Sequence, residues 1–283
     1  MEFLKVESNY FPRNSSLNLG GKLFTMSQPQ VMGILNSTPD SFYAGSRLSL
    51  TDNYLSVAEK MILDGLSMLD IGGYSSRPGA ENISPAEELN RVVPVISSLR
   101  KTFPEIILSV DTFRAEVAQA AVEHGADMIN DISGGSLDDQ MFETVAKLGC
   151  PYILMHMRGT PQTMQTVTHY DHLFGEMMVY FSERIQILRS MGVKDIIIDP
   201  GFGFAKTAQQ SLELVKRLAD FHVLGCPILG GVSRKSMIYK TLNTTAEEAL
   251  NGTTVLNTLL LTQGVSILRV HDVKEAVQVV KLV

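Results

Sequence analysis

Cysteine is nearly missing from this chain of 283 residues, which has two, Cys150 and Cys226. Each is followed by proline and then an apolar run. Both therefore read as buried thiols just ahead of strands, not as a disulfide or a metal pair. No apolar segment reaches the length of a membrane span. Residues 1–16 hold no apolar run long enough for a secretory signal. The expectation is a soluble protein of a reducing compartment, the cytoplasm, with no membrane partner. An excess of positive charge is missing too. With 24 basic and 30 acidic side chains, a formal charge of −6 and a pI near 5.5, nucleic acid is not an expected partner. An anionic small molecule would have to find its positive charges locally. Low-complexity segments are absent, and no linker or shift in composition marks a domain boundary.

What is present is ample apolar material, 45% of residues, enough for a full core. Residues 1–30 look irregular, with Leu17-Asn18-Leu19-Gly20-Gly21-Lys22-Leu23 suggesting a hairpin that plugs one end of the fold. From residue 31 a unit repeats: apolar strand, polar loop, amphipathic helix. Strands are predicted at 31–36, 67–72, 106–111, 127–131, 152–156, 195–199, 227–232 and 265–270. Helices are predicted near 51–65, 85–102, 114–124, 138–148, 170–191, 208–220, 246–263 and 272–281, with Thr51 and Asp272 as caps. Eight strands alternating with eight helices in roughly 250 residues is the count of a (β/α)8 barrel, the TIM-barrel architecture. No Gly-x-Gly-x-x-Gly follows the first strand, which argues against an open doubly wound sheet. The expected α/β organisation is one barrel domain, 31–283, preceded by the 1–30 extension.

The stretch Asp195-Ile196-Ile197-Ile198-Asp199-Pro200-Gly201-Phe202-Gly203-Phe204-Ala205-Lys206 sets the pattern. An isoleucine run buried on both faces ends in a carboxylate and then a turn. Ligands of parallel α/β proteins bind at that end of the strands. Phe202 or Phe204 offers a face to a flat ligand. Other strands end similarly, in Asn36, Asp111, Asn130-Asp131, His156, the run Ser233-Arg234-Lys235-Ser236, and Arg269-Val270-His271-Asp272. A purely structural barrel has no need of so many ionisable groups on one rim. Asp111, Asn130, Asp199 and Lys235 together suit a planar heterocycle edged with amine, imide and carbonyl groups. Arg269, His271 and Arg77 suit phosphate near the last loops, and Asn36 offers a hard oxygen for Mg2+ carried by a diphosphate.

These phrases, with Gly33-Ile34-Leu35-Asn36, Thr38-Pro39-Asp40-Ser41-Phe42, Gly72-Gly73, Ser76-Arg77-Pro78-Gly79, Ser109-Val110-Asp111-Thr112 and Met155-His156-Met157, occur in order from residue 31 to the end. The chain resembles the dihydropteroate synthases, pterin-binding enzymes of folate synthesis. The resemblance implies condensation of (7,8-dihydropterin-6-yl)methyl diphosphate with 4-aminobenzoate, giving 7,8-dihydropteroate and diphosphate. It implies that Asp111, Asn130, Asp199 and Lys235 hold the pterin, with Met155 and Phe204 packed near its ring. It implies Mg2+ on Asn36 and diphosphate on Arg269 and His271. It implies loops carrying Asn36 and Ser76-Arg77 that close over the site, and Ser236 near 4-aminobenzoate. Asp111, Lys235 and Arg269 would be catalytic, with Asp111 stabilising the cation left when diphosphate departs. Sulfonamides would compete with 4-aminobenzoate. A homodimer is the family's usual state, and the apolar arc of 250–261 offers a face for it. Tyr74, Ser76 and Ala205 depart from the usual pattern, where an acidic residue, threonine and glycine are common. The rival reading is the pterin-binding barrel of a corrinoid methyltransferase, which has less use for the Ser-Arg-Lys-Ser and Arg-Val-His-Asp runs. His169 and His172, three apart at a helix start, have the spacing of a metal pair, but no third ligand follows at helical spacing, which argues against one. His156 reads as a hydrogen-bonded rim residue.

Overall fold

The computed structural model describes residues 16–37, 50–75 and 82–283. Its order is β1 (Ser16–Leu19), β2 (Lys22–Thr25), β3 (Gln30–Asn36), α1 (Leu50–Leu63), β4 (Met68–Gly72), α2 (Pro85–Thr102), β5 (Ile107–Asp111), α3 (Ala115–Glu123), β6 (Met128–Asp131) and α4 (Met141–Leu148). There follow β7 (Tyr152–Met155), α5 (Leu173–Ser190), β8 (Ile196–Asp199), α6 (Ala208–Lys216), β9 (Leu229–Gly230), α7 (Ser236–Tyr239), α8 (Leu250–Thr262), β10 (Ile267–Val270) and α9 (Val273–Leu282). Eight strands lie side by side in the order β8-β7-β6-β5-β4-β3-β10-β9. The pairings are parallel throughout. A parallel bridge between Ile198 and Ile228 joins the two ends and closes the barrel. The strand expected at 227–232 shrinks to two residues, Leu229–Gly230, beginning two beyond Pro227, which has no N–H to give the ladder. Its carbonyl still accepts from the Ile198 N–H at 3.0 Å.

The hairpin plugs the barrel as the apolar pattern of residues 17–24 suggests. Leu17 and Met26 pack with Met32, Met68, Ile107, Met128, Ile153, Ile197, Leu229 and Ile267, one side chain from each barrel strand. This is a floor layer of the kind that fills such barrels. The Asn18 N–H donates to Asp195 Oδ2 at 3.1 Å, fixing the hairpin beside the start of β8. A second, larger apolar layer lies between the strands and the helices.

Several helix boundaries differ from expectation. Thr51 lies inside α1, not at a cap. Asp272 occupies the position before α9 but makes no side-chain cap bond; Arg234 takes its carboxylate instead. The fourth helix starts at Met141, because Asp138 turns back to accept from the N–H groups of Gln140 and Ala115. The sixth stops at Lys216, and a 3-10 segment, Leu218–Leu224, continues it. The short helix α7 had no periodic signal. Both cysteines are buried and free, as expected. Leu17 is fully buried in the floor, so Leu17→Ala is expected to cost about 2–5 kcal/mol in urea unfolding. An unchanged midpoint would mean that the hairpin is not part of the folded barrel's core.

Candidate active site

Side chains alternate across a strand, so residues two and four beyond a floor residue also point into the barrel. Above Met68 come Asp70 and Gly72; above Ile107, Ser109 and Asp111. Above Met128, Ile153 and Ile197 come Asn130, Met155 and Asp199. Above Ile267 come Arg269 and His271, and Asn36 is four beyond Met32. The predicted residues of the strands thus share one parity and one end of the barrel. Asp131 and His156 have the opposite parity and face the helices. Asp131 accepts from the Tyr152 hydroxyl at 2.6 Å, from Ser133 and from the Gly135 N–H. His156 lies edge-on to Tyr180, ring centres 4.7 Å apart.

Arg269 joins three strands. Its Nε donates to Asp70 Oδ2 at 2.6 Å and its Nη2 to Asp111 Oδ2 at 2.6 Å. Asn130 Nδ2 donates to the same Asp70 oxygen at 2.8 Å. Burial works against the charge on Arg269, but Asp70 and Asp111 reverse the balance and raise its pKa. Burial pushes Asp111 up to about 7, with Arg269 opposing and Asp70 adding to the rise. Sequence reasoning missed Asp70, which sits mid-strand in Met-Leu-Asp-Ile-Gly instead of at a strand end. Its parity with the floor was the available signal. Three buried atoms in this layer have no protein partner: Asp70 Oδ1, Ser109 Oγ and Asn130 Oδ1. Buried polar atoms left unpaired are costly, and a ligand edged with N–H groups would satisfy them.

Beyond β8 the chain turns sharply. Asp199 Oδ1 accepts from the Gly201 N–H at 2.8 Å. Burial raises the pKa of Asp199, and Lys235 opposes the rise. Lys235 Nζ donates to the Phe202 carbonyl at 2.9 Å and lies 4.9 Å from the Phe204 ring centre. Burial lowers its pKa to about 8, with Asp199 holding it up. Of the two candidate aromatic faces, Phe202 is excluded: its ring is fully buried in the outer core. Phe204 joins Ile132, Met155, Met157 and Met164 in a small apolar cluster at the rim.

The mouth is framed by loops that bind each other. Arg234 pairs with both carboxylate oxygens of Asp272, at 2.8 and 2.9 Å, and donates to the carbonyls of Ala246 and Glu247. Two charges within the motif phrases are thereby spent on loop architecture. Ser233 Oγ lies 3.1 Å from the His271 backbone N and 3.2 Å from its Nδ1, and Ser236 is the first residue of α7. A methyl group on Gly72 would sit 3.7 Å from both Asn36 Oδ1 and Asp111 Oδ2, so these oxygens face a common space. Among the described residues no group of three or more His, Cys, Asp and Glu side chains could hold a metal. One amide oxygen beside one carboxylate fits a Mg2+ that keeps waters and substrate phosphate oxygens, not an all-protein cage. Tyr74 accepts from Gln162 Nε2 at 2.6 Å and packs edge-on against Phe113. This ties the root of the loop after β4 to the loop after β7. Ser76 and Arg77 lie outside the described residues. His169 is exposed beside Asp171, and His172 caps α5, accepting from the Gly175 N–H.

Known proteins resemble this chain in sequence and in fold. The sequence pattern of the family described as pterin binding enzyme matches residues 32–271. A dihydropteroate synthase of Synechocystis sp. is 44% identical over 286 residues, covering 100% of this chain and 98% of its own. The crystal structure of Yersinia pestis dihydropteroate synthase with a sulfonamide drug complex superposes with a TM-score of 0.87 at 40% identity, covering 94% of this chain and 97% of that one. Xanthomonas albilineans dihydropteroate synthase in complex with 7,8-dihydropteroate gives 0.85 at 35%, with 94% and 97% covered.

The raised pKa of Asp111 has a definite sign in stability. The folded state keeps this proton up to about pH 7, whereas the unfolded chain loses it near 3.8. Unfolding therefore releases a proton within that window, and the residue's contribution to stability falls as pH rises through it. Asp111→Asn removes the effect, so the variant's Tm relative to the parent is expected to be higher at pH 8 than at pH 4. A difference independent of pH would contradict the burial of that charge.

Proposed function

The chain belongs to the pterin-binding enzyme family, as a dihydropteroate synthase, and on that premise we propose how its own residues join the pterin diphosphate to 4-aminobenzoate. The observation that carries the assignment is the set of unpartnered polar atoms on Asp70, Ser109 and Asn130 beside the Arg269 cluster. A pterin brings amine and imide N–H groups of matching polarity. Asp199 receives two of these N–H groups, Asn130 reads the ring edge, and Lys235 donates to ring carbonyl or nitrogen. Met155 and Phe204 cover a face of the ring. Each charge-assisted bond is worth about 1.5–3 kcal/mol.

An aryl amine is a weak nucleophile, so the barrier lies in the departure of diphosphate. The bond from the pterin methylene to the diphosphate oxygen breaks and the oxygen keeps the electron pair. The amine nitrogen then forms the new bond to the methylene and releases one proton. Arg269 and His271 bind the diphosphate where its charge grows. The Asp111 carboxylate faces the cationic methylene. Asn36 would hold the Mg2+ that arrives with the diphosphate, and the ion, when bound, adds positive charge against the leaving group. Ser236 serves the second substrate, and exclusion of water protects the cation. The sulfonamide in the Yersinia enzyme supports competition at that position. The relatives match as dihydropteroate synthases over nearly their whole length, and nothing favours the corrinoid-methyltransferase reading.

We assign the barrel to 31–283, its N-terminal extension to 1–30, the location to the cytoplasm and the assembly to a homodimer. Among the described residues no helix is long and apolar enough to cross a membrane. On α8, Leu256, Leu260 and Leu261 are buried while Val255 and Leu259 are exposed, leaving two apolar residues for a second copy. Release of diphosphate that requires 4-aminobenzoate is the expected activity, and release independent of it would refute the assignment. Asp199→Ala should remove about 3–6 kcal/mol of interaction, so pterin affinity measured by calorimetry should fall by roughly two to four decades. Unchanged affinity would exclude Asp199 from the ring site.

A further inference from the structure

We propose that Lys206 is a positioning residue for the pterin pocket: its buried ammonium is the internal cation around which the turn 199–206 is folded, holding Asp199 and Phe204 in place. Lys206 is almost wholly buried. Its Nζ lies 3.1 Å from the Gly201 carbonyl, 3.0 Å from that of Phe204 and 3.3 Å from that of His156. It is 2.9 Å from His156 Nδ1. Among the described residues it forms no ion pair with a carboxylate. Enclosing a charge in this way is expensive unless its donors are all used, and here they are used on two carbonyls of the turn and on His156, just after β7.

The turn is shaped for this purpose. Gly201, Gly203 and Ala205 have φ of 66°, 79° and 49°, so alternate residues are left-handed. At Gly201 a side chain is impossible, since a Cβ would come within 2.3 Å of the His156 carbonyl oxygen. Ala205 holds its conformation without being glycine, which is unfavourable for a residue with a side chain. Its carbonyl accepts from the Tyr170 hydroxyl at 2.9 Å. The mouth side of the same turn carries the ligand contacts: Asp199 bonded to the Gly201 N–H, and Lys235 on the Phe202 carbonyl beside the Phe204 ring. One lysine thus grips the turn from the substrate side and the other from behind.

The contact ties two protonation states together. While Lys206 is protonated its ammonium offers no lone pair, so His156 Nδ1 accepts and the ring proton sits on Nε2. Burial pulls the pKa of Lys206 down to about 7, with Asp199 holding it up. Burial, with Lys206 second, pushes the pKa of His156 well down, which keeps the ring neutral.

The proposal rests on the assignment of Asp199 to the pterin, so 6-hydroxymethyl-7,8-dihydropterin is titrated into the wild type, Asp199→Ala and Lys206→Ala. Loss in Lys206→Ala of about a hundred-fold is expected. Propylammonium, which replaces the deleted atoms with their charge, should restore most of it, and 1-propanol should not. Pterin affinity retained in Lys206→Ala but lost in Asp199→Ala overturns the positioning role alone; retention in both overturns the Asp199 assignment. Equal rescue by the alcohol also overturns the role, since packing would then suffice. The wild type supplies a test that needs no variant: at pH 6, below the titration of Lys206, nitrogen NMR should show His156 neutral with its proton on Nε2. A charged ring, or one protonated on Nδ1, overturns the contact on which the role depends.

Discussion

One guanidinium, that of Arg269, holds the upper half of this barrel together. It leaves β10, passes over β3 and bonds to carboxylates on β4 and β5. That reach exists only if the sheet is rolled, with the three strands facing across an interior. Asp70 is completely enclosed, so Arg269 and Asn130 are what its inner oxygen has in place of water. Such clusters contribute little net stability compared with apolar packing. Their value here is geometric, because they fix the orientation of polar side chains in a layer that also leaves three polar atoms open to a ligand.

Below that layer the chain is ordinary: eight apolar side chains and a hairpin form a floor. On β4, β5, β6, β8 and β10 the change from apolar to polar takes place two residues further along the strand. Depth along the strand therefore sets chemistry. Residues of the floor parity point into the barrel and those of opposite parity face the helices, which explains why Asp131 and His156 stand apart although they end strands like the others. Around the mouth, Arg234 and Asp272 neutralise one another and lock the last two loops. Ser233 and His271 are held in contact there.

Much of this was legible in the sequence, for a physical reason. A strand buried on both faces must be apolar, so a carboxylate or amide at its end stands out. Asn36, Asp111, Asn130 and Asp199 were singled out that way, and Arg269 as a buried-strand cation, while the barrel itself followed from the repeat. Asp70 was not, because it interrupts its strand and resembles a local exception until depth is counted from the floor. Phe202 and Phe204 were indistinguishable because a turn with alternate left-handed residues has no side-chain period. The pairing of Arg234 with Asp272 joins residues 38 apart, and no local pattern encodes it. Thr51 and Asp272 looked like caps by residue type, but capping depends on where the first turn actually begins.

The unfolding free energy of Arg269→Met, with and without Asp70→Asn, tests the central claim most directly. Alone, Arg269→Met strands two buried carboxylates and should cost about 3–5 kcal/mol. Adding Asp70→Asn should recover more than half of that loss, because the amide can still face Asn130 without a charge. Simple addition of two independent losses would contradict an account in which this cation exists to hold those carboxylates.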